Sequence, residues 1–325
     1  IGREILFKNH EHLLTGSEIE QMDKAVLAES LKKVGIVART VPEQKLNIVR
    51  ALQADGEVVA MTGDGVNDAP ALKAADIGIA MGNKGTDVAR EASAIILLDD
   101  NFSSIVDGIR TGRRIFDNLQ KAMSYIMAIH MPIIGLALIP AVIKNIPVLM
   151  MPLHIVFLEL VIDPVCSIAF EYEQEEKNVM SRPPRNRDKK FFGLQRIMVS
   201  VFKGLLLLLM VICIYLLSVQ EGHSEGEARA ITFIALITGN IALVMSSLSE
   251  TRSFLSVFKE RNFSALGILF LALAILAVIM AVPALQRIFS FEFPGLRHFI
   301  ISFVGAFILL IIYELIKLLR RKSSN

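Results

Sequence analysis

Two pairs of carboxylates, Asp64 with Asp68 and Glu159 with Asp163, are each spaced four residues apart in settings that suit chemistry. The first pair falls in the string Met61-Thr62-Gly63-Asp64-Gly65-Val66-Asn67-Asp68-Ala69-Pro70, which lies between a short apolar run and a helix start. Two hard oxygen donors this close can hold an octahedral Mg2+ together with waters and a substrate phosphate, while the glycines let backbone approach that phosphate. Read alone, the string is also an ordinary turn, since Asp, Asn and Gly are turn residues. The second pair lies inside an otherwise uncharged apolar stretch. A charge at mid-bilayer costs roughly 2.5–3.5 kcal/mol on insertion scales, so both residues need a reason to be there. Helical spacing puts Glu159 and Asp163 on one face, and Pro164 removes a backbone donor and frees a carbonyl. Together these oxygens would suit a hard cation. The plainer reading is a structural pair bonded to a neighbouring helix.

The elements that would position the first pair are those of an α/β unit. Short apolar runs alternate with helical ones in the order βαβαβαβ: strand Val34–Ala38, helix Pro42–Ala54, strand Val58–Met61, helix Ala69–Ala75, strand Ile77–Ala80, helix Thr86–Ala92 and strand Ala94–Leu97. Short strands that are apolar throughout are typical of parallel sheets buried on both faces, and such sheets bind ligands at their carboxyl ends. Residues 102–121 read as a charged helix with an apolar stripe of Ile105, Ile109, Ile115 and Leu119, running without a Pro into the next apolar segment. Such a connection is stiff enough to transmit force.

The second pair needs a membrane. With 53% apolar and 20% charged side chains over 325 residues, the composition excludes disorder and a soluble domain. The two cysteines, Cys166 and Cys213, sit in apolar runs as small hydrophobes and exclude a disulfide scaffold. Six windows are candidates to span a bilayer, roughly Ala122–Ile143, Val148–Phe170, Gly204–Val219, Ile231–Leu248, Phe263–Leu285 and Phe299–Tyr313, the third and sixth being short. Residues 1–121 carry 15 Lys/Arg against 18 Asp/Glu, leaving a net +5 for the remainder, and this balance gives no electrostatic case for nucleic acid. Loop 171–203 has eight basic residues, loop 249–262 three and the tail 314–325 four, whereas only Lys144, Arg229, Arg287 and Arg297 fall in the alternate loops. Basic residues gather on the cytoplasmic side, so the N-terminal unit and the C-terminus are expected there. No secretory leader is read in the charged first thirty residues, and a start at Ile1 without Met suggests a mature or truncated product.

The ten-residue string with its flanks resembles the hinge motif of P-type cation-transporting ATPases. The similarity continues through Pro70-Ala71-Leu72-Lys73-Ala74-Ala75-Asp76-Ile77-Gly78-Ile79-Ala80-Met81-Gly82, the segment Asp99-Asp100-Asn101-Phe102 and, further on, Arg182-Pro183-Pro184. The resemblance implies an α/β haloacid-dehalogenase-like, Rossmann-like partial domain followed by an all-α six-helix transmembrane bundle. Residues 1–101 would be the C-terminal half of the phosphorylation domain, 102–121 a helical stalk and 122–325 the transmembrane domain. It further implies Mg2+ and ATP as cofactors, with Asp64 as Mg2+ ligand and Asp68 as its companion at that site. Thr62, Gly63 and Asn67 would position phosphate, and Lys45, in Val41-Pro42-Glu43-Gln44-Lys45, would neutralise the phosphoryl charge. Apart from the resemblance, Lys45 is an ordinary helix lysine.

In the bundle, Glu159-Leu160-Val161-Ile162-Asp163 aligns with the N-L-V-T-D pattern of calcium-type pumps. Glu159 then replaces an amide and Ile162 a hydroxyl. His130 falls where those pumps have a ligand asparagine, Ile133 and Asn240 where they have glutamates, and Pro132 and Pro140 are expected to break the helix that carries His130. This donor set gains an imidazole and suits transition metals or protons, so calcium selectivity is not implied. His130 has an alternative role in packing. His154 reads as interfacial, and the other histidines are assigned nothing. No DKTGT, no TGE loop and no nucleotide-binding domain occurs in these residues. The expectation is therefore the C-terminal part of a plasma-membrane pump, inactive alone, whose partners are a transported cation, the missing N-terminal part and the bilayer. The alternatives are a membrane-anchored haloacid-dehalogenase-like phosphatase and a non-catalytic pump-like subunit.

Overall fold

The computed structural model describes residues 12–143, 146–186, 190–255 and 263–324. Lys144, Arg187, Lys189, Lys259 and Arg261, which contribute to the charge asymmetry between loops, lie outside them. The chain divides into two compact units, the main boundary falling between Ile109 and Arg110.

The first unit begins with β1 (Leu13–Thr15), α1 (Gly16–Glu20) and α2 (Lys24–Leu31), three elements beyond those expected from the sequence. There follow β2 (Ile36–Ala38), α3 (Pro42–Ala54), β3 (Ala60–Gly63), α4 (Ala69–Ala74), β4 (Ile77–Met81), α5 (Asp87–Ala92) and β5 (Ile95–Leu97). The β–α alternation is as expected, but it forms two parallel sheets, β1-β2 and β3-β4-β5. β1 supplies β2 with a ladder of its own, Leu13 opposite Ile36 through Thr15 opposite Ala38. α3 opens on Pro42, whose missing N–H would have no helical acceptor at that position, and ends before Gly56, which takes φ 89°. β3 starts two residues later than expected. The Val59 amide donates to the Asp76 carboxylate at 2.9 Å instead of joining the ladder, and pairing runs on through Thr62 and Gly63.

In the second unit α6 (Ser103–Val142) is one 40-residue helix that starts within the first unit's residues. Pro132 and Pro140 lie inside it and do not break it. Apolar helices tolerate Pro where neighbouring groups satisfy the freed carbonyls, and Pro140 sits in the last turn, where little helix remains to lose. The stripe on its first half is not a buried seam, since Ile109, Ile115 and Leu119 are all about half exposed. Next come α7 (Pro152–Phe157), a π-helical turn (Leu158–Ile162) and α8 (Asp163–Glu171), then α9 (Leu194–Gln220) and α10 (Glu225–Ser247). α11 (Phe263–Ala281), α12 (Pro283–Ile288) and α13 (Leu296–Ser324) complete the unit. Among the described residues α6, the α7–α8 run, α9, α10 and α13 are long and apolar enough to cross a membrane, and α11 is a further apolar helix that stops short of Pro283. α10 is buried almost throughout and packs on α9 and α13. Gly204 of α9 brings that helix against α6, where a Cβ would stand 2.2 Å from the Ala128 carbonyl oxygen.

A polar clamp joins α6 to the segment after α8. Lys121 and Glu176, each under 5% exposed, pair at 2.7 Å, and Asn118 Nδ2 donates to the Glu173 carbonyl at 2.8 Å. Arg182 grips Asp117, and Arg252 pairs with buried Glu173. Burial raises the carboxyl of Glu173, a shift that Arg252 opposes.

Candidate functional site

β3 delivers its last residues, Thr62 and Gly63, to the carboxyl end of a parallel sheet, where Asp64 begins a turn that closes at Asp68 ahead of α4. Gly63 is required by close approach, because a Cβ there would lie 2.5 Å from Cβ of Asp68. Lys45, in the first turns of α3, donates to Asp68 Oδ1 at 2.5 Å, and the Gly65 amide stands 3.4 Å from Oδ2. Burial by itself pushes the Asp68 carboxyl up, yet the Lys45 ammonium and the Gly65 amide together hold it below the usual carboxylate range. Asp68 is buried, whereas Asp64 and Asn67 are exposed and Thr62 is half-buried. The Asp64 carbonyl accepts from the Thr86 amide at 2.8 Å, and Thr86 in turn caps α5. Lys45, Gly63 and Asp68 thus meet directly, while Asp64, Thr62 and Asn67 edge the same turn. With its carboxylate engaged by Lys45, Asp68 is placed to anchor that lysine, and Asp64 is the open oxygen donor.

In the second unit, His130 of α6, Glu159 of the π-helical turn and Asp163 at the start of α8 each bring a donor atom within 4.8 Å of the others. His130 Nε2 lies 3.3 Å from Glu159 Oε1. Its Nδ1 lies 2.7 Å from the Ile126 carbonyl oxygen and so donates to it, which leaves Nε2 facing the carboxylates. The helical turn between the two acids is wider than the α-helix expected from their spacing. Asp163 N–H donates five residues back to Leu158, and the Pro164 nitrogen can donate to nothing. Tyr125, which the sequence alone does not single out, donates its hydroxyl to Asp163 Oδ1 at 3.2 Å. The available signal is a tyrosine in an apolar helix, whose hydroxyl needs a partner when buried. Asp163 Oδ2 is buried with no hydrogen-bond partner among the described residues. Asn240 is buried on α10 with Nδ2 3.9 Å from Cys166 Sγ, and its Oδ1 also has no partner among the described residues. His154 is not interfacial. It is fully buried, its Nε2 2.7 Å from the Phe289 carbonyl oxygen, and rings of Phe233, Phe289 and Phe291 surround it.

Residues 147–319, more than half of the chain, match the family described as cation transporting ATPase, C-terminus. The chain belongs to the cation-transporting ATPases. Residues 9–76 and 45–109 match two families described as haloacid dehalogenase-like hydrolase, in agreement with the small parallel sheets of the first unit. A calcium-transporting ATPase of Schizosaccharomyces pombe is 34% identical over 96% of this chain and 35% of its own length. One from Listeria monocytogenes is 35% identical over 99% of this chain and 36% of its own. The sodium/potassium-transporting ATPase subunit alpha-1 of Oreochromis mossambicus is 47% identical over 53% of this chain and 17% of its own. The chain therefore spans about a third of the length of the calcium-transporting relatives. The chain is a multi-pass membrane protein of P-type lineage, a family that uses ATP and Mg2+ in general.

Proposed function

We propose that the chain is the C-terminal part of an ATP-driven pump that couples aspartyl-phosphate formation and hydrolysis to cation movement. Residues 1–101 would serve as the second half of the phosphorylation domain, 102–121 as a stalk and 122–325 as the transmembrane domain with part of the ion path. The observation that carries this reading is the meeting of His130, Glu159 and Asp163, the last of which keeps a buried carboxylate oxygen with no hydrogen-bond partner among the described residues. Leaving such an atom unsatisfied costs roughly 1–3 kcal/mol, which a bound cation or proton would offset. The same cluster weighs against a membrane-anchored phosphatase, which needs no acids among its spans.

At the end of the sheet, the exposed carboxylate of Asp64 would hold Mg2+ in company with phosphate oxygens, and hard oxygen donors of this kind fit that ion. When bound, Mg2+ there supplies charge neutralisation for the transferred phosphoryl group. The chain's own residues do the rest. Asp68 fixes Lys45, Lys45 directs an ammonium to the end of the sheet, and Thr62 and Asn67 orient phosphate oxygens. With no DKTGT nucleophile among these residues, hydrolysis awaits the rest of the protein. The excess of Lys and Arg in alternate loops supports a cytoplasmic first unit and C-terminus, and the plasma membrane is the home proposed for the pump.

The test is ion-dependent phosphoenzyme formation by the full-length protein across Ca2+, Mn2+, Zn2+, Na+ and H+. One ion is expected to trigger labelling, and Asp163→Asn to abolish that dependence. An unchanged ion dependence in the variant would overturn the proposed role.

A further inference from the structure

A second cluster of imidazole and carboxylate groups lies outside the donor set just described. Glu221 and His223 belong to the loop between α9 and α10, and His298 belongs to the first turn of α13. Glu221 Oε2 is 3.6 Å from His223 Nε2 and 3.6 Å from His298 Nε2. The two rings stand perpendicular with centroids 4.4 Å apart, and the three donor atoms all lie within 4.8 Å of one another. These separations exceed the 2.7–3.2 Å span of N–H···O bonds, so neither imidazole is hydrogen-bonded to Glu221. They come close to the spacing of about 3.3 Å between neighbouring donors around a tetrahedral ion with bonds of about 2.0–2.1 Å.

The surroundings orient two of the three donors. Arg297 holds Glu221 Oε1 at 2.9 Å, which leaves Oε2 for the imidazoles. His223 Nδ1 lies 2.9 Å from Glu227 Oε2, so Nδ1 donates to that carboxylate and Nε2 presents its lone pair. Glu227 is itself fixed by the capping box of α10: the Ser224 amide donates to the same oxygen at 3.0 Å and the Glu227 amide to Ser224 Oγ at 3.1 Å. A carboxylate behind an imidazole is the usual support of a metal-bound histidine. His298 is buried, His223 half-buried and Glu221 exposed, which leaves one side open to a water as fourth ligand.

We propose that Glu221, His223 and His298 bind a transition-metal dication of the zinc class, with Glu227 as positioning residue, and that the bound ion ties the α9–α10 loop to the start of α13. Two imidazoles and one carboxylate favour such an ion over Ca2+, which prefers six or more oxygens. The test uses the full-length protein in detergent, stripped by chelator and titrated with Zn2+, with Co2+ as spectroscopic probe of geometry. A Glu159→Gln background removes the contribution of the His130 set. One Zn2+ per chain is expected in that background, with a tetrahedral Co2+ spectrum and no displacement by excess Ca2+. Glu227→Gln should weaken Zn2+ binding about 10-fold, and His223→Gln or His298→Gln about 100-fold or more. Because His298 is buried, the half-buried His223 carries the test should H298Q fail to fold. Absence of Zn2+ binding in the Glu159→Gln protein, or unaltered affinity in H223Q, would overturn the proposal.

Discussion

Asp68 and Asp163 are both buried acids in this chain, and their partners set their chemistry apart. Asp68 has the Lys45 ammonium at 2.5 Å, whereas Asp163 has a tyrosine hydroxyl on one oxygen and, among the described residues, nothing on the other. The first is a finished ion pair and the second an open valence. Lys45→Met should therefore leave Asp68 as an unpaired buried charge and destabilise the first unit by roughly 1–3 kcal/mol. The pH dependence has a definite sign. Asp68 is held below its ordinary value on folding, so its contribution is present above about pH 4 and lost as acid titrates the folded carboxyl. Without Lys45, burial dominates and the Asp68 carboxyl rises. Thermal unfolding of wild type and K45M between neutral pH and pH 3 would check this, the variant being expected to lose most of its deficit in acid. A constant difference across that range would refute the pairing.

Two elements turn these residues into sites. The π-helical turn Leu158–Ile162 widens the helix between the acids, and Pro164 sustains it by offering no amide to Leu160. Pro164→Ala would supply that donor and allow an ordinary α-turn, which removes the extra residue of the wide turn and changes how Glu159 is offset from Asp163 and His130. We expect an apparent ion affinity about 10-fold weaker in phosphorylation assays, equivalent to about 1.4 kcal/mol; an unaltered ion profile would show the π turn to be incidental. The clamp on α6 is the other element. Burial alone would raise the Glu176 carboxyl, but the Lys121 charge, the Thr251 hydroxyl and the Glu250 amide bring it down to about 2. Its stabilising contribution is therefore full above about pH 5 and fades as pH falls toward about 2. Lys121→Met should cost about 3–5 kcal/mol at pH 7 by leaving a buried carboxylate unpaired, and adding Glu176→Met should recover much of that loss. Differential scanning of single and double variants reads the result directly, and an additive double variant would exclude coupling.

For the whole molecule, the charge asymmetry between loops sets the expected orientation. An exposed cysteine introduced as Ser181→Cys in loop 171–203 should resist an impermeant thiol reagent in sealed cells and react once they are opened. Reaction from outside would invert the topology.

The family is legible in the linear chain, because Met61–Pro70 is contiguous and its Gly and Asp residues are dictated by local backbone and donor chemistry. So are the α/β alternation and most of the spans, since hydrophobic periodicity and length are local properties of the chain. What the linear chain leaves open involves partners distant in sequence. β1 is too short to announce itself, and its pairing with β2 defines it. Asp76 shifts the start of β3 from afar, and Tyr125 reaches Asp163 across two helices. His154 turns into an aromatic core instead of an interface, and His223 meets His298 through a fold that spacing could not foretell. In each case packing settles which polar atom finds a partner, because burial removes water and leaves only the groups that the fold brings within reach.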